Sequence, residues 1–351
     1  MAAWSFEPPT FRTDGRLADM GDVLSELAQS PALYPMAFDV PRDALLFLRL
    51  SEQDYRASAF LDERASISDR REHWLPVLQV ERAMATPTAA RPLHFIFHMG
   101  HVGSTLLSRL LDEADGVLSL REPLPLRAIA EAHDMGVRGI NSRLETLLRL
   151  WERGFDGTKR VVLKATSTTE RLAPLLLAMR PQATAVLLNV SAKSYLTTMF
   201  ASPNSPGDLN ENGPERMHRL GEMGIGVPRP STLGELAAMS WLAEHITQMR
   251  LAKTFGDRVL SVDFDEMLAG LEDAMQRVLA HFKIARPAER AAAMANSPSL
   301  SRYSKAQDRE YSPDLRASVM AEVQCRFAGE IREALQWLDS IVSANPQVTA
   351  L

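Results

Sequence analysis

The sequence predicts a three-layer α/β sandwich around a central parallel sheet. Three observations carry this. From Leu93 onward, short apolar runs alternate with stretches whose apolar residues recur at helical spacing. Strands separated by helices in this way form βαβ units, and their strands run parallel. The runs are nearly continuous in apolar residues, as expected of strands covered by helices on both faces. Finally, 351 residues with 46% apolar and 24% charged side chains are enough to bury such a core.

The elements follow in order. Residues 1–90 read as a mainly helical region. Phe6–Thr10 and Pro31–Pro41 are turn-rich, and short patterns lie at Val23–Leu27, Leu45–Leu50 and Val77–Met84. Leu45–Leu50 is a candidate strand, and Ala85–Arg91 has a linker's composition. The α/β domain spans 91–290. Its first strand is Leu93–His98, followed by a glycine-containing turn and a helix with Leu106, Leu107, Leu110 and Leu111 on one face. Val117–Leu120 is the second strand, and Leu124–His133 and Arg143–Glu152 read as helices. Val161–Lys164 is the third strand, backed by a helix near Thr168–Met179. Ala183–Asn189 is the fourth, and Ser194–Phe200 opens a helix.

Residues 203–230 hold five prolines and five glycines in 28 positions, which predicts a long loop. Met239, Leu242, Ile246 and Met249 then mark a helix over Leu236–Met249. Arg258–Val262 is the fifth strand, and Leu271, Met275, Val278, Leu279 and Phe282 mark the next helix. Residues 291–351 read as a C-terminal helical extension packing on the domain, with Ile331, Leu335, Leu338 and Val342 on one face.

Charge and cysteine content exclude some classes. A net charge of −5 argues against a nucleic-acid protein with a general basic field. It leaves room for a local anion pocket. The single cysteine, Cys325, precludes an intrachain disulfide and argues against a cysteine zinc site. Met1–Gly15 lacks an apolar signal core. The richest apolar stretch, Leu172–Val190, is cut by Pro174, Arg180 and Pro181, so no membrane span is expected. These features predict a cytoplasmic protein. The oligomeric state has no signature.

The chemistry concentrates in the turn after the first strand. Gly100, His101, Val102, Gly103, Ser104, Thr105 and Leu106 join an apolar strand to an apolar helix. Glycines let the backbone wrap closely around an anion. The first N–H groups of a helix have no intrahelical partner, and with the helix dipole they make a phosphate site. The bland alternative is an ordinary strand-to-helix turn capped by serine. No lysine follows Gly103, so this is not a Walker A loop. Nor does it fit a nucleophile elbow. His94, His98 and His101 suggest a metal, but a ligand on so buried a strand would be odd, and none is expected.

The segment resembles the 5′-phosphosulfate loop of sulfotransferases, which reads P-[RK]-S-G-T-T-L-L. Gly103, Thr105, Leu106 and Leu107 match, and Ser104 keeps the hydroxyl. Gly100, His101 and Val102 depart from it. Arg121–Pro123, Val161–Lys164, Ala183–Asn189 and Arg258–Leu268 fall in the family's order, so the resemblance covers roughly 93–284. It implies a P-loop nucleoside triphosphate hydrolase-like fold of the sulfotransferase type. The implied donor is 3′-phosphoadenosine 5′-phosphosulfate (PAPS), with a hydroxyl or amine acceptor on a small molecule or glycan and no metal. At the 3′-phosphate site the family has arginine, then serine eight positions later. Here Asn189 and Thr197 stand there, and Lys193, Arg302 or Lys305 would have to supply the charge.

Sulfuryl transfer needs positioning and charge stabilisation. His101 would be the loop's cation, or would only hydrogen-bond the loop. Lys164 ends an apolar strand, where a charge needs a partner or a ligand. Glu122 is the candidate general base, or a carboxylate paired with Arg121 or Arg127. The acceptor would be chosen by the 203–230 loop and the N-terminal region. The alternative function is a degenerate P-loop module that binds a nucleotide or phosphorylated ligand without turnover. A P-loop kinase is disfavoured by the missing lysine.

Overall fold

The computed structural model describes residues 17–65, 67, 69–85, 90–304 and 306–348. Strands β1 (Leu33–Asp39), β2 (Ala44–Arg49) and β3 (Asp69–Pro76) form an antiparallel sheet in the order β1-β2-β3. Helices Leu17–Gln29, Glu52–Ala57 and Val77–Ala83 accompany it. The region expected to be mainly helical therefore carries a sheet, of which only β2 was foreseen. Pro31–Pro41, read as turn-rich, contains β1. Proline is tolerated there because β1 is an edge strand, and its register shifts between Pro35 and Ala37. The segment Met1–Gly15 and most of the linker fall outside the described residues.

Strands β4 (Leu93–His98), β5 (Val117–Arg121), β6 (Arg160–Lys164), β7 (Ala185–Asn189) and β8 (Val259–Asp263) form the central sheet. Among the described residues its order is β5-β6-β4-β7-β8, and every pair is parallel. The expected α/β sandwich is what the chain forms. β4 is buried along its whole length. Successive side chains on a strand point to opposite faces, so β4 seeds two cores. Phe95 and Phe97 join Leu33, Tyr34 and Phe47 of the N-terminal sheet in one cluster. Ile96 joins Leu106, Leu110, Met239, Ile246, Ile331 and Leu338 in the other. Residues 17–85 thus share a core with one sheet face, and the C-terminal helix Ala328–Ala344 packs on the other.

After β6 the chain crosses to the other side of β4 to place β7. That makes the carboxyl end of β4 a topological switch point, where open α/β sheets bind ligands. Among the described residues no helix is long and apolar enough to cross a membrane, and no cluster of three or more His, Cys, Asp or Glu suits a metal ion.

The predicted loop at 203–230 is wrong over most of its length. Ser205–Glu222 is an 18-residue helix that includes Pro214. Tertiary pairing overrides the local composition. Arg216 Nε donates to Glu244 Oε1 at 2.8 Å and Arg219 Nη2 to Glu244 Oε2 at 3.0 Å, all three side chains being buried. Glu244 lies on the neighbouring helix Leu233–Phe255. The helix near Thr168–Met179 is split into a 3-10 turn, Ser167–Leu172, and an α-helix, Ala173–Met179, because Pro174 suits only a first turn.

Glu244→Ala would leave the buried Arg216 guanidinium without its carboxylate and Arg219 with Glu215 in place of the pair. We expect a loss of about 3–5 kcal/mol in urea denaturation. A loss below about 1 kcal/mol would show that this pairing does not hold the 205–222 helix in place.

Candidate functional site

The turn Met99–Gly103 leads from β4 into helix Ser104–Asp112. Three of its residues are left-handed: Gly100 at φ +86°, His101 at +56° and Gly103 at +71°. Gly103 caps the helix, and no side chain takes a capping hydrogen bond. A Cβ at Gly103 would sit 2.0 Å from the Phe264 ring, so glycine is required twice over there. The helix is anchored below by Leu107, Leu110 and Leu111, and Val102 is itself buried in the core.

This geometry decides where the peptide hydrogens go. Gly100 N–H donates to His98 Nδ1 at 3.1 Å. That bond assigns Nδ1 as the unprotonated nitrogen and leaves the ring proton on Nε2, 3.9 Å from Glu122 Oε1. Among the described residues, the N–H groups of Val102, Gly103, Ser104, Thr105 and Leu106 meet no acceptor in the protein. An unmet buried donor costs about 1–3 kcal/mol. Five in succession, at a helix N-terminus, are the arrangement from which an anion cradle is built.

Beside the cradle, Lys164 ends β6 fully buried. Its Nζ donates to Glu122 Oε1 at 2.6 Å and to Thr105 Oγ1 at 3.2 Å. It therefore joins the helix start to the end of β5. Glu122 follows β5 with φ +55°, and its N–H donates to the Lys164 carbonyl at 2.8 Å. Left-handed backbone outside glycine costs about 1–3 kcal/mol and gathers at functional sites. Of the five non-glycine examples among the described residues, His101 and Glu122 are both here. Burial alone would raise the Glu122 carboxyl, but attraction to Lys164, the hydrogen bond from it and attraction to Arg127 outweigh it. The group is held down at about 2.

The predicted residues therefore divide. Gly100, His101, Val102, Gly103, Ser104, Thr105, Leu106, Glu122 and Lys164 come together. Glu122 pairs first with Lys164, and Arg127 lies 3.6 Å from its Oε2. Arg121 turns away to Asp112 and Ser108. Leu106 gives its backbone, while its side chain is core. At the end of β7, Asn189 Nδ2 donates to Ser261 Oγ at 2.9 Å. Thr197 is fully buried, and its hydroxyl donates to the Lys193 carbonyl at 2.7 Å. Lys193 is exposed. The C-terminal segment does fold back: helix Pro313–Arg326 packs on helix Ala192–Ala201, and Arg316 Nη2 meets Asp265 Oδ1 at 2.7 Å. Arg302 lies exposed at the start of the hairpin ahead of it. Lys305 lies outside the described residues. His94 is spent at the other end of β4 on Thr184, at 2.9 Å from its Oγ1, and burial holds its imidazole at about 4.

Sequence reasoning missed four contributors. His98 figures in the sequence only as a metal candidate, and the structure sets it between Gly100 and Glu122. Ser167, which opens the 3-10 turn after β6, lies against Gly100, its Oγ 3.2 Å from where a Cβ would stand. Asp62 and Arg64 come from the N-terminal region. Asp62 is fully buried and binds both Arg64 and Arg127. No short-range pattern marks any of these.

No protein-family model matches this sequence, and no curated protein matches it. Among solved structures, the chain is similar to sulfotransferase STF9 from Mycobacterium avium at 14% identity, over 72% of this chain and 80% of that one, with a TM-score of 0.41. It is similar to mouse sulfotransferase SULT7A1, solved with PAP, at 12% identity, over 75% and 88%, with a TM-score of 0.42. It is also similar to the sulfotransferase domain from the curacin biosynthetic pathway at 9% identity, over 72% and 99%, with a TM-score of 0.38.

Two outcomes follow from this geometry. Gly103→Ala meets both a left-handed φ and the Phe264 ring, and we expect a loss of at least about 2 kcal/mol in urea denaturation. Glu122→Gln strips Lys164 of its carboxylate, and we expect a loss of about 3 kcal/mol at pH 7. The Glu122 carboxyl is depressed on folding, so its stabilisation is complete above the ordinary value of 4.5 and disappears as pH falls to about 2. Stability of wild type and variant should therefore converge in acid. A gap unchanged from pH 7 to pH 2 would show that the pair is not ionic.

Proposed function

We propose that this chain transfers a sulfuryl group from PAPS to a hydroxyl or amine acceptor. The observation that carries the reading is the row of five unmet peptide hydrogens beside a buried lysine. The 5′-phosphosulfate would lie in that row. The S–O bond to the 5′-phosphate breaks and an S–O or S–N bond to the acceptor forms. Adenosine 3′,5′-bisphosphate departs, and the acceptor's proton passes to solvent. Charge builds on the leaving phosphate oxygen, where the peptide hydrogens, Ser104, Thr105, Lys164 and His101 would stabilise it.

Glu122 has a different part from the one its position first suggested. A carboxylate held at about 2 and bonded to an ammonium is a weak base at neutral pH. We assign it to positioning Lys164. At the 3′ end, Thr197 is committed within its helix, and the phosphate would have to be met by Asn189, Lys193 or Arg302. The absence of the family's arginine at Asn189 favours a second reading: a module that binds the phosphorylated ligand without turnover.

Calorimetry with adenosine 3′,5′-bisphosphate, ATP with and without Mg²⁺, and inorganic phosphate separates these. Tight, Mg²⁺-independent binding of the bisphosphate, together with transfer of label from [³⁵S]PAPS, supports the transferase. Binding without transfer to any acceptor supports the module, and Mg²⁺-dependent ATP binding would sink both. Lys164→Met should lower transfer by about 10²-fold or more. His101→Ala should weaken bisphosphate binding; unchanged affinity would remove His101 from the site.

A further inference from the structure

Next to the Lys164–Glu122 pair sits a second group of charges that the transfer step does not use. It lies where the N-terminal segment after helix Glu52–Ala57 crosses the ends of β5 and β6. Asp62 is fully buried there. Arg64 Nε donates to Asp62 Oδ1 at 2.9 Å, and Arg127 Nη2 reaches Asp62 Oδ2 at 3.3 Å. The same two guanidinium groups each stand 3.6 Å from Glu122 Oε2. The Phe60 ring supports Arg64 from below, 3.6 Å from its guanidinium carbon, and Thr166 Oγ1 accepts from Arg127 Nε at 3.4 Å.

Lys164 pairs with Glu122, Asp62 is shared between the two arginines, and Glu122 and Glu63 add their attraction at Arg64. Both guanidiniums keep an open face: the Arg64 side chain is 48% exposed and that of Arg127 31%. On each, Nη1 has no partner among the described residues. Two forks are thus held in fixed orientation by a buried carboxylate, with spare donors at the surface. Such a pair suits a carboxylate or a comparable oxyanion. Its location sets the use. The arginines touch the outer oxygen of Glu122, whose inner oxygen holds Lys164. A molecule anchored on them lies next to the Lys164–Glu122 pair that is bonded to Thr105 of the loop helix.

We propose that Arg64 and Arg127 form an acceptor-binding site for a carboxylate, so that the acceptor is a hydroxylated or aminated acid rather than a neutral molecule. This deepens the transferase reading and rests on it for the word acceptor; binding of the anion does not. The side chains concerned come from the N-terminal sheet region and from the helix after β5, outside the residues that form the cradle.

Calorimetry on the full chain, with 4-hydroxybenzoate and 4-hydroxybenzamide as probes, tests it. Wild type should bind the acid at least 10-fold tighter than the amide, with and without saturating adenosine 3′,5′-bisphosphate. Arg64→Gln and Arg127→Gln should each reduce that preference, with bisphosphate affinity unchanged within 2-fold. Because Asp62 loses a cation in these variants, Arg64→Lys and Arg127→Lys serve alongside: charge is kept, the fork is lost, and the preference should shrink with folding intact. Equal binding of acid and amide to wild type, or no binding of either, overturns the proposal. So does loss of bisphosphate affinity in the glutamine variants, which would give the arginines to the donor. If the bisphosphate fails to bind while the acid binds through both arginines, the transferase reading falls and the anion site stands.

Discussion

The turn after β4 has to pass through left-handed backbone at Gly100, His101 and Gly103, and this single constraint organises the site. A right-handed turn would continue the helix backward and give its first peptide hydrogens to the preceding carbonyls. The left-handed turn denies them those acceptors. Five N–H groups then depend on water or on a ligand. The fold stabilises this costly arrangement from both sides: Val102 and Leu106 are locked into the core, and the Phe264 ring closes over Gly103.

The charges around the turn are arranged so that each fixes another. Lys164 is placed by β6, and its ammonium is bridged to Thr105 of the loop helix and to Glu122 after β5. Two strand ends and a helix start are thereby tied at one ammonium. His98 adds a tie from below, accepting from Gly100 and facing Glu122. The carboxylate is more useful to the site as an ion than as a base, because its depressed pKa keeps Lys164 paired across the ordinary pH range.

The N-terminal region reaches the site through where it is packed. Its sheet buries Tyr34, Phe47 and Leu75 against the same face of the central sheet that carries Phe95 and Phe97. That packing brings the segment with Phe60, Asp62 and Arg64 to the ends of β5 and β6. The helix Ser205–Glu222 shows the same dependence on partners. Its prolines and glycines read as a loop, and the buried carboxylate of Glu244 makes it a helix by holding Arg216 and Arg219.

By itself the sequence determined the parallel α/β sheet, the strand that begins it and the glycine turn at Gly100–Leu106. These are local in origin: continuous apolar runs, helical spacing and paired glycines act over a few residues. It also marked Lys164 and Glu122, since a charge at the end of an apolar strand has to be answered. Only the tertiary structure decided which partners answer. Glu122 chose Lys164 over Arg121, Thr197 turned inward, residues 205–222 became helical, and Asp62 and Arg64 arrived from a distant segment. Those outcomes are set by contacts between residues tens of positions apart, and such contacts exist only once the sheet has brought its strand ends together.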